Sequence, residues 1–199
     1  NMFFDFSSLS VAAKSLTEKK AAELFAEEIA LRTSVRPEIT ESGSLSPCVC
    51  FTENKSIEDK DSFVLSLENN ILTVEAQGIR GLIYGYSYFL RKIRIKGTLI
   101  TLIKDISGSY SPDKKIRGHQ LGYRPLNNTY DKWSYEQYRR YYLDIMYFGS
   151  NMCEHMPYPK GSSGKNELML YNEEEFLPNV TAMADELDLD VSVWYPNSE

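Results

Sequence analysis

The sequence predicts an α+β domain with helices over one sheet, followed by the opening of a βα barrel or of another parallel α/β sheet. Two observations carry this. The first hundred residues hold a clear β-hairpin between two amphipathic helices, the pattern of a sheet with helices laid on it. From Lys115 the order changes to strand, polar loop, helix, strand, polar loop, helix and strand, the order of parallel α/β folds. The whole chain, 199 residues, has room for one large domain or two small ones.

Phe3-Phe4-Asp5-Phe6 is read as a short first strand. Ser15-Leu-Thr-Glu18 has the form of a capping box. Ala21, Leu24, Phe25 and Ile29 then recur at helical spacing to about Arg32, and Pro37 ends any continuation. A strand follows around Cys48–Thr52. Phe63, Leu65 and Leu67 alternate with polar residues, Asn69-Asn70 supplies a turn, and Leu72, Val74 and Ala76 alternate on the return. Gly78 introduces a helix with Ile79, Leu82, Ile83, Tyr86, Leu90 and Ile93 on its inner side. Arg91, Lys92, Arg94 and Lys96 are read as its last turn, where cations suit the macrodipole. Gly78-Ile-Arg-Gly81 lacks the third glycine of a dinucleotide fingerprint and any Gly-Lys-Ser/Thr. Close helix–sheet packing by Gly81 and Gly85 explains these glycines better than phosphate binding. Thr98–Ile103 closes this domain, residues 1–104, and residues 105–114 are a linker by composition.

Lys115–Arg124 is read as a buried strand that ends in polar groups: His119, Gln120, Tyr123, Arg124, Asn127 and Asn128. Ser134-Tyr-Glu-Gln137 is a second capping box, with Tyr138, Tyr141, Tyr142, Ile145 and Phe148 as the apolar stripe and Gly149 as the stop. Asn151–Met156 is the next strand. A helix follows that begins near Glu174, with Pro178 in its first turn and Val180, Met183, Ala184 and Leu187 inward. Its acid pair, Asp185-Glu186, is read as facing solvent. Asp190–Tyr195 is the third strand.

The formal charge of −6 comes with no basic stripe, which argues against nucleic acid as a partner. No apolar run approaches the length of a membrane span, so no membrane partner is expected. Cys48, Cys50 and Cys153 do not form a disulfide framework and are read as reduced, buried thiols. Met2 follows a single Asn1, which favours the cytoplasm, with a periplasmic or secreted product as the alternative. Cys153, Glu154, His155 and His119 match no standard metal spacing, and alternation sends Glu154 and His155 to opposite sides of their strand. No metal and no cofactor is expected.

Asn70-Ile-Leu-Thr-Val-Glu-Ala-Gln-Gly-Ile-Arg-Gly-Leu-Ile-Tyr-Gly-Tyr-Ser-Tyr-Phe-Leu90 resembles the end of the small α+β domain that precedes the barrel in β-N-acetylhexosaminidases and α-glucuronidases. The resemblance rests on Arg80-Gly81, Tyr84-Gly85 and the Arg117-Gly118 strand opening. It implies a partial (β/α)8 TIM barrel from 115 to 199 and a carbohydrate ligand. The catalytic carboxylates would then lie on later strands, beyond residue 199, so none is expected here and the isolated chain is expected to be inactive. Arg124 is the nearest match to the arginine that grips sugar hydroxyls in hexosaminidases, though one residue short in spacing, and Asn127-Asn128-Thr-Tyr departs from the hexosaminidase pattern. With strand ends as the site, the expected substrate contacts are His119, Tyr123, Arg124, Asn128, Glu154, His155, Trp194 and Tyr195. The competing reading is a non-catalytic carbohydrate-binding or protein-interaction module, its exposed edges covered by a partner or by homo-oligomer formation.

Overall fold

The computed structural model describes residues 2–5, 8–42, 47–102, 104–121, 129–155 and 170–193. The chain divides into two compact units, Asn1–Asp113 and Lys114–Glu199.

In the first unit, the elements in chain order are β1 (Met2–Asp5), β2 (Ser10–Ala12), α1 (Leu16–Thr33), β3 (Glu38–Thr40), β4 (Cys48–Glu53), β5 (Phe63–Glu68), β6 (Ile71–Ala76), α2 (Ile79–Lys92), β7 (Ile93–Lys96), β8 (Leu99–Leu102) and β9 (Gly108–Tyr110). They form two sheets where the sequence reading expects one. The larger has the order β3-β2-β4-β6-β5-β9, and the smaller β1-β8-β7. Strands β2, β3, β4 and β6 run parallel, while β5 returns antiparallel to β6 through Asn69 and Asn70. Both asparagines have left-handed φ, 51° and 61°, as a two-residue hairpin turn with right-handed twist requires.

The Ser15 hydroxyl accepts from the Glu18 N–H at the start of α1. The Glu18 carboxylate in turn accepts from the N–H groups of Lys14 (2.7 Å), Ser15 (3.0 Å) and Glu53 (2.8 Å). Burial alone would raise its pKa, but those three N–H bonds outweigh burial and leave it below the usual carboxylate value. Glu18 therefore ties the helix start to the end of β4. Helices α1 and α2 pack on each other, α1 against β4 and α2 against β6. Phe25, Phe51 and Tyr86 meet edge-on at 5.7–6.0 Å in the core between them.

The glycines of α2 are required by that packing. A Cβ on Gly81 would stand 2.6 Å from the Ala76 Cβ and 2.7 Å from the Ser62 carbonyl oxygen, and one on Gly85 would stand 2.4 Å from Val74 Cγ1. Arg80 is buried and donates to Asp61 at 3.1 Å.

Two expectations are corrected here. The basic segment is not a helical turn beyond Lys92: Ile93–Lys96 forms β7, antiparallel to β8 across a turn at Gly97 (φ 62°). The period-two alternation of Ile93 and Ile95 with Arg94 and Lys96, with two β-branched residues, outweighs the helix-end reading. The segment read as a linker contributes β9, paired with β5, where Tyr110 stacks on Phe63 at 5.0 Å.

The second unit holds β10 (Gly118–Gln120), α3 (Tyr135–Tyr147), β11 (Met152–His155), α4 (Glu173–Glu186) and β12 (Asp190–Val193). Its three strands are parallel and lie in chain order. Ser134 and Gln137 form the second capping box. The buried side of α3 is Tyr138, Tyr142, Leu143, Met146 and Tyr147, whereas Phe148, expected inside, is 82% exposed because the helix has already ended. Asn172 caps α4, so Pro178 falls in its second turn rather than its first, where only the bond to the Glu174 carbonyl is forgone. Asp185 and Glu186 face solvent, as expected. Strand β10 is exposed rather than buried, since among the described residues it has a neighbour on one side only. No described helix is long and apolar enough to cross a membrane.

Candidate functional site

Register decides which side chains share a face of the three parallel strands. Gln120 stands beside Glu154 and Glu154 beside Ser192, while His119 stands beside Cys153 and Cys153 beside Val191. Side chains alternate across a strand, so Gln120, Glu154 and Ser192 occupy one face and His119, Cys153, His155, Val191 and Val193 the other.

The second face carries the helices. His119 Nδ1 and the Tyr141 hydroxyl are 2.6 Å apart, and the Tyr142 hydroxyl lies 2.7 Å from His155 Nε2. The His155 ring also meets Tyr138 and Phe176 edge-on. Burial brings the His155 pKa down to about 4, so its imidazole is neutral at pH 7. Burial pushes the Tyr142 phenol up, so this hydroxyl keeps its proton, and one proton is shared between it and the ring nitrogen in a hydrogen bond whose direction follows the imidazole tautomer. Cys153 Sγ lies 3.6 Å from the same nitrogen, and burial pushes its thiol up to about 12. A neutral thiol beside a neutral imidazole is not the thiolate pair of a cysteine nucleophile. Among the described residues no group of three or more His, Cys, Asp or Glu stands together to hold a metal ion.

The first face carries Gln120, Glu154 and Ser192 in one row, with Met152 one step earlier on β11. The Gln120 side-chain amide donates to the Glu154 carboxylate across the β10–β11 pair, which fixes that carboxylate while leaving further lone pairs for a ligand. Ser192 adds a half-exposed hydroxyl in the next strand. An acceptor, an amide and a hydroxyl in one row suit a ligand rich in hydroxyl groups.

Asn151 holds this sheet in register. Its side chain accepts from the Arg117 N–H at 2.9 Å and donates to the Lys115 carbonyl at 2.7 Å. Its backbone bonds Arg117 on one side and Asp190 on the other. The Arg117 Nε donates to the Gly149 carbonyl at 2.7 Å, so this arginine braces the entry to β10.

Of the expected site residues, Glu154 lies on the face opposite the helices, and His119 and His155 lie on the helix side. Tyr123, Arg124 and Asn128, together with Trp194 and Tyr195, lie outside the described residues. Gln120, read only as one of the polar groups ending its strand, and Ser192 were not among the expected contacts; their pairing with Glu154 follows from the register between strands, which no sequence signal shows. Tyr141 and Tyr142 were read as core, and here they also hold the two histidines.

By sequence, no protein-family model matches the chain and no curated protein matches it. By structure, the chain is similar to a GH20 exo-β-N-acetylglucosaminidase from Vibrio harveyi in complex with N-acetylglucosamine, at TM-score 0.69 and 15% identity. That match covers 96% of this chain and 33% of the other. A Streptomyces plicatus β-hexosaminidase in complex with product matches at TM-score 0.69 and 12% identity, covering 96% and 42%. A Flavobacterium johnsoniae chitobiase matches at TM-score 0.62 and 13% identity, covering 97% and 32%.

The chain has a hexosaminidase-like fold. At these identities the likeness is one of fold, and it extends over nearly the whole of this chain. This chain spans about a third to two-fifths of the length of the solved structures it resembles.

Proposed function

We propose that the chain is the N-terminal part of a glycoside hydrolase. Residues 1–113 would be its α+β accessory domain, and residues 114–199 the first three strands of a (β/α)8 barrel. The full enzyme would cleave glycosidic bonds of amino-sugar or uronic-acid substrates. The observation that supports this most is the second unit: three parallel strands in chain order, helices on one face, and Gln120, Glu154 and Ser192 on the other. In a barrel, the face opposite the helices is the interior and strand ends build the site. The complexes of the similar Vibrio and Streptomyces enzymes, with N-acetylglucosamine and product, favour the amino sugar.

Cleavage would pass through an oxocarbenium-like transition state, with carboxylates from later strands. Residues 114–199 would bind and orient the sugar. Glu154, steadied by Gln120, would accept from a sugar hydroxyl, and Arg124, Tyr123 and Asn128, which follow β10 in the chain, would add further contacts to the sugar. Trp194 and Tyr195 would offer aromatic surface at the end of β12. His119 and His155 would position strands rather than touch the sugar.

The test is to express the natural reading frame past Glu199 and assay aryl N-acetyl-β-glucosaminides beside aryl glucuronides. Hydrolysis by the longer protein and none by residues 1–199 is the expected result. A frame that stops at Glu199, or a longer product that cleaves no glycoside, overturns the proposal.

A further inference from the structure

The six-stranded sheet of the first unit has a second face, and it carries a pair of thiols. Phe51 packs toward the helices against Phe25 and Tyr86, so alternation turns Cys48 and Cys50 to the opposite face of β4. Register places Ser10, Cys48 and Ile71 in one row, and Ala12, Cys50 and Thr73 in the next. The two sulfurs are 3.5 Å apart. Ala12, Cys50 and Thr73 also line a cavity of about 290 Å³ that reaches Phe51 and Glu18 on the helix side and has Lys14 and Glu41 at its wall. Cys50, half-buried, is among the residues that line the cavity, and Cys48, fully buried, is not; the two sulfurs are adjacent.

A direct disulfide is disfavoured here. Residues two apart on one strand have Cα atoms about 6.6 Å apart, near the upper limit for a disulfide, with side chains projecting in parallel. Strand β4 is hydrogen-bonded to β2 and to β6, so its backbone is held on both sides. An inserted atom faces no such obstacle. With bonds to sulfur of about 2.3 Å, the length found for zinc, a 3.5 Å sulfur separation gives an angle of about 100° at the central atom. Zinc needs two more donors, and no group of three or more His, Cys, Asp or Glu is present among the described residues. Three-coordinate arsenic bearing its own carbon substituent needs only the two sulfurs.

We propose that Cys48 and Cys50 form a chelating site for a monosubstituted trivalent arsenical that enters through this cavity. In the reaction an organoarsenic(III) oxide forms two As–S bonds and loses its As–O bonding. The oxygen leaves as water with the two thiol protons, and no atom changes oxidation state. The hydrogen bond between the thiols helps, because the proton kept by one sulfur stabilises the first thiolate, which is the attacking species. The second As–S bond is intramolecular, which strengthens capture by about 10²–10⁴ over a single thiol.

The test is intact-mass spectrometry of the native chain with phenylarsine oxide. One phenylarsenic group per chain is expected, gained with loss of water. It should survive an excess of monothiol and be removed by a 1,2-dithiol. Cys48→Ser and Cys50→Ser should each weaken retention at least about 100-fold, while Cys153→Ser retains it. Peptide mapping of the wild-type adduct, independent of whether the variants fold, should place arsenic on the segment containing residues 48–50. An adduct that forms only after denaturation, one that maps to Cys153, or a Cys48–Cys50 disulfide formed in preference to it overturns the proposal.

Discussion

Arg80 donates to Asp61 at 3.1 Å with both side chains buried, so a complete ion pair lies inside the first unit. Its guanidinium sits one residue before Gly81, where α2 presses closest to β6 and to the Ser62 carbonyl. The Arg-Gly pair thus does two structural jobs: the glycine admits the helix, and the arginine satisfies an acid beneath it.

Removing one partner of that pair should be costly. Asp61→Ala leaves a buried cation without its carboxylate, and urea unfolding should show a loss of about 3–5 kcal/mol. The double replacement Arg80→Met with Asp61→Leu should recover part of that loss, because no buried charge remains. Equal loss in the single and double variants would show that the pair is not the source.

Gly85→Ala places a methyl group where Val74 Cγ1 now lies. The expected destabilisation is about 1–3 kcal/mol, the usual range for overpacking. Val74→Ala alone also destabilises, by opening a cavity. Combined with Gly85→Ala it should cost less than the sum of the two, since the new methyl fills part of that space. A double-mutant cycle read by thermal unfolding checks this, and simple additivity would count against it.

His155 makes the second unit sensitive to acid. Its folded-state pKa lies near 4 against an ordinary 6.5, with burial as the cause. As pH falls below 6.5 the unfolded chain takes up a proton that the folded chain refuses. Stability is therefore full above about pH 6.5 and declines toward pH 4, by roughly 3 kcal/mol from this group. Denaturant unfolding at pH 7 and pH 5 should show a smaller pH dependence in His155→Gln than in the unaltered chain.

Asn151 bonds to the segments on both sides of β11. Asn151→Ala leaves the Arg117 N–H and the Lys115 carbonyl without that partner, at about 1–3 kcal/mol. Hydrogen exchange should quicken at the amides of β10 and β11 and leave β4 to β6 unchanged.

In the longer enzyme, Glu154→Gln should lower kcat/KM by roughly ten- to a hundredfold, the value of a hydrogen bond to a charged group. Asp185→Asn, on the solvent side of α4, should leave it unaltered. Equal effects from the two would remove Glu154 from the site.

What the sequence determined by itself was local. Ser15 with Glu18 and Ser134 with Gln137 announced two helix starts, because a capping box is complete within four residues. Alternation from Phe63 to Ala76 around two asparagines announced the hairpin for the same reason. Strands β2, β3 and β9 have three residues each, too few to show a period, and exist only because a neighbouring strand completes their hydrogen bonds. Strand β7 was hidden behind the helix it continues. At the candidate site, residue types and the parity of Glu154 and His155 were legible along one strand. That Glu154 faces Gln120 and His155 faces Tyr142 depended on register and on the placing of α3, which arise between segments distant in the chain. Tertiary structure decided those partners, because hydrogen bonds and burial act across space while sequence patterns report only neighbours along the backbone.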